Sequence, residues 1–164
     1  MPTPTAIMAC RTDDGYAIRV EGRGTMRESP AVREFAAQCL DQQRELTLSV
    51  DLSACDYLDS TFLGCLVGVH RRCRSEPLVQ LFVCCEIAKR QRLLGPTRLD
   101  TLFHCIERTP EPAGPWVNLP PPELAKRDFG LHVLECHERL SELHCPSAGA
   151  FKTVVEQLSR ELGR

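Results

Sequence analysis

The segment that most constrains the fold is residues 46–73, LTLSVDLSACDYLDSTFLGCLVGVHRRC, where an alternating pattern leads through a short acidic turn into a nearly unbroken apolar run. The alternation is typical of a strand with one covered face, because successive side chains of a strand point to opposite sides of the sheet. Its apolar positions are Leu46, Leu48, Val50 and Leu52. A central strand covered on both sides would instead be continuously apolar. The run that follows predicts a buried helix with a solvated, arginine-rich end.

Turn and cap signals place the other elements around this segment. Asp14-Gly15 separates two strand-like stretches, AIMAC and YAIRV, and predicts a hairpin. Ser29 followed by Pro30 predicts the N-cap and the first position of a helix. Further along, LVQLFVC and CIE predict strands, whereas EIAKRQRLLGP and residues 99–103 predict helices. This order predicts an α/β fold, a mixed β-sheet with helices on one face.

Composition divides the chain into three parts. We predict a sheet domain over 1–108, a proline-rich linker or arm over 109–122 and a helical hairpin over 123–164. The last helix of the hairpin carries an apolar stripe of Phe151, Val154, Val155, Leu158 and Leu162. Two helices alone bury such a stripe poorly, so we expect the hairpin to pack on the sheet domain, on a second copy of the chain or on a partner.

Charge and hydropathy exclude several classes of partner. A net charge of −2 and an isoelectric point near 6.2 provide no field that would attract a nucleic acid. Apolar residues nowhere run long enough to span a bilayer, and the first residues lack the pattern of an export signal. We therefore expect a cytoplasmic protein with no membrane span, in which the ten cysteines are thiols.

The familiar signatures of enzymes and metal sites are missing from the sequence. It contains no phosphate-binding GxxxxGK[ST] loop, no GxSxG elbow and no HExxH helix. Cys84 and Cys85 end an apolar strand with no evident base nearby, which favours a packing role over a nucleophilic one. The spacing of the Cys and His residues over 136–145 matches no paired zinc-ligand motif. We predict no catalytic activity, no metal and no cofactor.

The turn within residues 50–73 resembles the signature of STAS domains, the sulfate transporter and anti-sigma factor antagonist family. In that family a hydrophobic strand is followed by Asp-Leu-Ser, a few residues, Asp-Ser-Ser/Thr, an apolar position, Leu-Gly and a buried helix. The matching residues here are Asp51, Leu52, Ser53, Asp59, Ser60, Thr61, Leu63 and Gly64. In element order the resemblance extends over roughly the first two-thirds of the chain.

The resemblance implies a regulatory function. The chain would act as an anti-sigma factor antagonist that binds a Ser/Thr kinase-like anti-sigma factor, and a homodimer is also left open. Phosphorylation would fall on Ser60, with Thr61 as a weaker candidate. The implied partner-binding residues are Asp59, Ser60, Thr61, Phe62 and Gly64.

Physical chemistry is compatible with a switch at Ser60 but leaves other functions open. A phosphate would add roughly −1.5 to −2 charge units, which a helix N-terminus tolerates and a docked partner would have to desolvate. The plainer alternative is that Ser60 or Asp59 only caps the helix. Phe62 stands where many phosphorylated family members have glycine, which favours a constitutive scaffold or assembly subunit. A sensor of small anions or lipids is a further alternative.

Overall fold

The structure is a computed structural model that describes residues 3–164, so the first two residues of the predicted 1–108 domain lie outside the described residues. Strands and helices alternate in the order that the sequence predicts, with two short strands added. The elements are β1 (Ala6–Thr12), β2 (Gly15–Gly24), α1 (Ser29–Gln42), β3 (Glu45–Asp51), β4 (Cys55–Leu58), α2 (Ser60–Arg74), β5 (Leu78–Cys84), α3 (Ile87–Leu94), a 3₁₀ helix (Gly95–Thr97), α4 (Leu99–Leu102), β6 (Cys105–Ile106), β7 (Val117–Asn118), α5 (Lys126–Ser141) and α6 (Ala148–Leu162).

The strands form one mixed sheet with the order β6-β5-β3-β2-β1-β7, and β4 pairs with β2 beyond the end of β3. The hairpin of β1 and β2 is antiparallel, as is the pair of β1 and β7. The pairs β2–β3, β3–β5 and β5–β6 are parallel. This architecture and the carboxy-terminal pair of helices confirm the predicted fold class.

A single core lies between the sheet and the helices on its covered face. Leu48 and Val50 of β3 meet Val32 of α1 and Phe62 of α2 there, and all four side chains are fully buried. Burial of a large apolar side chain contributes about 1.5–3 kcal/mol, so these contacts fix how α2 lies on the sheet. The position of α2 in turn fixes the turn that precedes it.

Strand β4 was not predicted, and its burial pattern explains why. The two ends, Cys55 and Leu58, are buried, whereas Asp56 and Tyr57 between them are exposed. Four residues with this pattern match neither strand alternation nor a helix, and in the sequence they look like an acidic turn. Pairing with β2 across an irregular register makes them a strand.

The face of the sheet opposite the helices is less exposed than the alternation in β3 predicts. Strands β6 and β7 lie at opposite edges, so residues 107–116 must cross a face of the sheet. They border a cavity of about 480 Å³ that is also lined by Ser49 and Phe82. Ser49 and Asp51 of β3 are buried on this side. The proline-rich segment is therefore an arm that ends in a strand of the sheet.

An ion pair between two strands of the sheet also contacts the arm. The Nε atom of Arg19 lies 3.1 Å from a carboxylate oxygen of Asp51, whose side chain is 1% exposed. The guanidinium of Arg19 also lies 4.0 Å from the ring centre of Trp116, a cation–π contact. Asp51 accepts a second hydrogen bond from the backbone N–H of Ser53. The arm thus covers a charge that the sheet buries.

Helix α1 begins as predicted near Pro30, but the predicted N-cap is wrong. The capping position is Glu28, and Ser29 is the first residue of the helix. The Ser29 side chain is fully buried, and its Oγ lies 2.7 Å from Nε2 of His132 in α5. A tertiary contact with a distant helix therefore takes the hydroxyl that a local cap would have used.

We predict that Arg19→Met lowers the free energy of unfolding by about 2 kcal/mol, because it leaves the buried Asp51 carboxylate without its counter-charge. Urea denaturation followed by Trp116 fluorescence measures the change. Arg11→Met, an exposed arginine at the end of the neighbouring strand β1, is the matched control and should shift stability by less than about 0.5 kcal/mol. Equal effects of the two variants would contradict a structural role for the ion pair.

Candidate functional site

The predicted switch residues lie at one edge of the sheet. Strands β2 and β4 are parallel and end at Gly24 and Leu58, and α2 begins two residues after β4. We call the loops at this edge, residues 25–28 and 52–54 together with the turn 59–60, the rim. Loops at the carboxyl ends of parallel strands are a common place for binding residues.

Asp59 is the N-cap of α2 and also ties two parts of the rim together. One carboxylate oxygen accepts a hydrogen bond from the backbone N–H of Phe62, at 2.8 Å. The other accepts from the backbone N–H of Met26, also at 2.8 Å. The capping role therefore belongs to Asp59, and the hydroxyl of Ser60 is not needed for it.

The hydroxyl of Ser60 instead bonds to a side chain from α5. Its Oγ lies 3.0 Å from Nε2 of His137, and Nδ1 of the same ring lies 2.9 Å from the carbonyl oxygen of Val133. Since a carbonyl can only accept, Nδ1 carries a proton, and in the neutral tautomer with that proton Nε2 accepts from the Ser60 hydroxyl. Ser60 is half-buried, so its hydroxyl is engaged by α5 yet still lies at the surface.

The other predicted partner-binding residues lie beneath the surface. Phe62 is fully buried in the core, Thr61 is 4% exposed and Gly64 is buried. We expected these residues to contact a partner, but in this structure helix α5 lies along α2. Of the five predicted residues, Asp59 and Ser60 alone reach the rim surface, because Thr61, Phe62 and Gly64 lie in the buried part of α2.

Helix α5 approaches α2 most closely at two glycines one helical turn apart. A Cβ atom at Gly64 would lie 2.2 Å from the carbonyl oxygen of Cys136, which is an impossible distance. A Cβ atom at Gly68 would lie 2.7 Å from the guanidinium carbon of Arg139. Glycine at these positions lets the two helix backbones come together. The predicted site residue Gly64 therefore has a packing role in this structure.

A second histidine of α5 is buried where this helix meets α1. Nδ1 of His132 lies 2.8 Å from a guanidinium nitrogen of Arg33, so Nδ1 accepts and Nε2–H donates to Ser29 at 2.7 Å. Burial, with the positive charges of Arg33 and Arg139 nearby, lowers the pKa of His132 to about 4. The ring is therefore neutral at physiological pH, and both of its nitrogens hold α5 to α1.

Sequence reasoning missed both histidine contacts. The sequence presents His137 only as one of the Cys and His residues over 136–145, because it does not say which helix α5 touches. Among residues 3–164 no three His, Cys, Asp or Glu side chains lie together as metal ligands would. A signal was present in the glycine spacing of α2, which predicts a close helix neighbour without identifying it.

The cysteines that were weighed as nucleophiles lie in the core. Burial raises the pKa of Cys84 to about 12 and that of Cys85 to about 11. Both thiols therefore stay protonated at neutral pH and lack the thiolate that a nucleophile needs.

Comparison with known proteins finds a family similar to part of the sheet domain. Residues 7–80 match the family model described as "Mlab, STAS domain", and this stretch includes β1 from Ile7 onwards, the elements from β2 to α2 and the complete rim turn. This part of the chain is similar to STAS domains. Residues 81–164, with the arm and the helices α5 and α6, lie outside the matched stretch.

The similarity to known proteins beyond this family model is limited. A search of the curated proteins found no match. Among solved structures, the chain is similar to the "Crystal Structure of an Anti-sigma Factor Antagonist from Mycobacterium paratuberculosis", with 22% sequence identity and a TM-score of 0.48. That similarity covers 65% of this chain and 86% of the other. In the described part of the chain, no helix combines the length and apolar character needed to cross a membrane.

We predict that Asp59→Ala lowers the free energy of unfolding by about 1–2 kcal/mol, because the change removes the N-cap and the link to the backbone of Met26. Thermal and urea unfolding measure the loss. Asp56→Ala is the matched control, since Asp56 is an exposed aspartate of the preceding strand. A loss as large for Asp56→Ala would show that the cap geometry is not responsible.

We predict that acid weakens the fold through His132. As pH falls below about 6.5 the unfolded chain binds a proton at this residue, whereas the folded chain stays neutral until about pH 4. Stability that is complete above pH 6.5 is therefore lost towards pH 4, by up to about 1.4 kcal/mol per pH unit.

Urea unfolding between pH 7 and pH 4 tests this dependence. His132→Gln should be less stable at neutral pH but should lose less stability on acidification than the unmodified chain. His144→Gln is the control, because His144 is exposed, and it should keep the original pH dependence. Identical pH dependence of all three proteins would contradict the assignment.

Proposed function

We propose that this protein is an anti-sigma factor antagonist that binds a Ser/Thr kinase-like anti-sigma factor and is switched by phosphorylation at Ser60. The single observation that carries the proposal is that the helix cap in the Asp59–Ser60 turn is the carboxylate of Asp59 and not the hydroxyl of Ser60. Asp59 performs the structural task of capping α2, which leaves the hydroxyl of Ser60 available for regulation. The match of this turn to the STAS signature, which the resemblance in sequence supplies, supports the same assignment.

The surroundings of Ser60 are suited to a charge-dependent switch. As the first residue of α2, Ser60 lies beside unpaired backbone N–H groups and the positive end of the helix dipole, which stabilise a phosphate. The neighbouring Asp59 carboxylate would add to the negative charge at the rim. A partner in contact with the rim would have to desolvate both groups, so phosphorylation disfavours binding.

The rim also offers apolar side chains to a partner. Met26 and Tyr57 are exposed by 44% and 42%. The backbone N–H of Met26 donates a hydrogen bond to Asp59, and Tyr57 lies two positions before Asp59 in the sequence. The guanidinium of Arg23 lies 4.2 Å from the ring centre of Tyr57. Exposed apolar groups edged by charge are typical of protein interfaces. We propose that Met26 and Tyr57 flank Ser60 in the contact with the anti-sigma factor.

In this proposal the chain is a substrate and ligand, not an enzyme. The partner kinase supplies the nucleotide and the base, and the only chemical change on this chain is transfer of a phosphoryl group to the Ser60 oxygen with loss of the hydroxyl proton. We place the protein in the cytoplasm, where cysteine thiols remain reduced; each of the ten cysteines is unpaired in the described structure.

A second candidate function is that of a constitutive assembly subunit. The observation in its favour is the contact between α5 and α2, which covers Thr61 and Gly64 without any phosphorylation. In this case Ser60 would serve only as a hydrogen-bond donor to His137, and the rim would bind its partner permanently.

Phosphorylation of Ser60 can be tested directly. We expect the native kinase-like partner and ATP to add one phosphate to the chain, and tandem mass spectrometry should place it on Ser60. Ser60→Ala should abolish the modification, whereas Ser53→Ala, an exposed serine of the same rim, should leave it unchanged. Phosphate on neither Ser60 nor Thr61 would leave the assembly subunit as the better account.

Binding of the partner distinguishes the two functions. Ser60→Asp should weaken the affinity at least tenfold relative to Ser60→Ala, measured by calorimetry, and Ser53→Asp serves as the charge control. Equal affinities of Ser60→Asp and Ser60→Ala would contradict the switch.

A further inference from the structure

Three arginines from three different helices line one small cavity. Arg33 belongs to α1, Arg72 to α2 and Arg139 to α5, and the cavity between them measures about 130 Å³. The other lining residues are apolar, and none of the lining residues in the described part of the chain is acidic. We call this space the arginine cavity. Like charges around one space repel each other unless an anion lies between them.

The carboxylates near the arginine cavity balance its charge incompletely. Arg72 pairs with Asp41 at the exposed end of the cavity. Arg139 lies 3.9 Å from a carboxylate oxygen of Glu135, which is longer than the roughly 2.7–2.9 Å of a charge-assisted hydrogen bond. Arg33 forms no ion pair in the part of the chain that the structure describes. Three positive charges therefore face two negative ones.

Arg33 is the arginine whose charge is least compensated. One of its guanidinium nitrogens lies 2.8 Å from Nδ1 of His132, and this ring is neutral at physiological pH. Among residues 3–164 the guanidinium makes no second hydrogen bond. Arg33 is half-buried, and a partly desolvated charge without a counter-charge is costly. An anion in the arginine cavity would remove this cost.

The size of the arginine cavity indicates a small oxyanion. A water molecule occupies about 30 Å³ in the liquid, so a cavity of about 130 Å³ has room for about four. This is the size of an ion with four oxygens, whereas sites for larger organic ligands begin at about 300 Å³. Guanidinium groups donate in pairs to the oxygens of phosphate. The cavity therefore suits a phosphate-type dianion and is too small for a whole nucleotide.

The packing of α5 holds one of the three arginines in place. A Cβ atom at Gly68 would lie 2.8 Å from Nη1 of Arg139, so the guanidinium lies directly against the backbone of α2. Its side chain is 26% exposed, which leaves it in contact with solvent through the cavity. Since its position is fixed before any ion arrives, little conformational entropy is lost on binding.

We infer that the arginine cavity binds a phosphate-type dianion between Arg33, Arg72 and Arg139. Bound there, the ion bridges α1, α2 and α5, and it stabilises the folded chain by mass action. Helices α1 and α2 lie within the stretch that matches the STAS family model, whereas α5 lies outside it. The ion therefore strengthens the hold of the appended helix on the sheet domain.

This site is distinct from the rim and goes beyond the proposed function. Ser60 does not line the arginine cavity, and Arg72 lies twelve residues further along α2, about 18 Å along the helix axis. Binding of an ion in the cavity therefore does not require phosphorylation of Ser60. Inorganic phosphate and the phosphate group of a small monoester offer the same chemistry to the three arginines.

The test is a calorimetric titration of the full chain with sodium phosphate, in which sodium chloride holds the ionic strength constant so that screening does not change. We expect saturable binding at one site. Arg33→Met and Arg139→Met should each weaken the affinity at least tenfold, because each removes a donor and a charge. Arg71→Met is the matched control, since Arg71 pairs with Glu142 and does not line the cavity, and it should change the affinity less than twofold.

A second variant tests the site with all three arginines in place. Ala37 is a half-buried residue of α1 that lines the cavity, so Ala37→Glu brings a carboxylate of the chain itself among the arginines. We expect it to abolish phosphate binding and to raise the melting temperature in the absence of phosphate. Gln38→Glu, at the exposed neighbouring position, should leave the affinity unchanged. Circular dichroism confirms that each variant is folded.

Titration with glycerol 3-phosphate distinguishes the two sources of the ion. Affinity equal to that of inorganic phosphate would assign the site to the phosphate group of a monoester as well, and absence of binding would assign it to the free ion alone. Both results support the site.

Three results would overturn the inference. They are no saturable binding of phosphate to the unmodified chain, a loss of affinity in Arg71→Met as large as that in Arg33→Met, and undiminished binding to a folded Ala37→Glu protein. None of them depends on the kinase assay: phosphorylation of Ser60 without phosphate binding would retain the switch and reject the anion site.

Discussion

The arrangement of the site depends on one close contact, between the backbone of α2 at Gly64 and the backbone of α5 at Cys136. Nothing larger than a hydrogen atom fits between them. That contact brings His137 to Ser60 at one end of α2 and Arg139 over Gly68 at the other. Without it, Ser60 would be a free hydroxyl at a helix N-terminus, and α2 would expose an apolar face to solvent.

The contact connects Ser60, the proposed phosphorylation site, to an element outside the stretch that matches the STAS family model. The matched stretch ends within β5, whereas α5 begins at Lys126. Helix α2 lies within the matched stretch. In this chain an appended helix occupies it, held by a neutral His132 on α1 and by apolar contacts to the core. The appendage therefore covers part of α2 and contacts the rim at Ser60.

Local patterns were sufficient to predict most of the sheet and its helices. The alternation of β3, the Asp14-Gly15 turn and the apolar run of α2 act within a few residues, and each was found where it was expected. Strand β4 was not predicted and the cap of α1 was predicted wrongly, because the residues involved contact partners far along the chain. Ser29 bonds to His132, more than a hundred positions away, and no local rule anticipates such a pairing.

The same limit applies to the candidate site. Asp59 and Ser60 were singled out by the resemblance of their turn to the STAS signature, and the capping role of Asp59 is a local feature that the structure shows. The burial of Phe62 and Gly64 follows from tertiary packing, and the role of His137 depends on the direction in which the hairpin folds back. Ten cysteines and a proline-rich arm gave no indication of that direction.

Amide hydrogen exchange by mass spectrometry tests the Gly64 contact most directly, in Gly64→Ala compared with Gly149→Ala, whose added methyl group meets no atom within 4 Å. Because a methyl group at Gly64 would meet the backbone of α5, we predict that Gly64→Ala raises exchange of α5 amides at least tenfold while β3 and β5 stay protected. Gly149→Ala should leave exchange of α5 unchanged. Unchanged protection of α5 in Gly64→Ala would contradict the claim that the close contact between Gly64 and Cys136 holds α5 against α2.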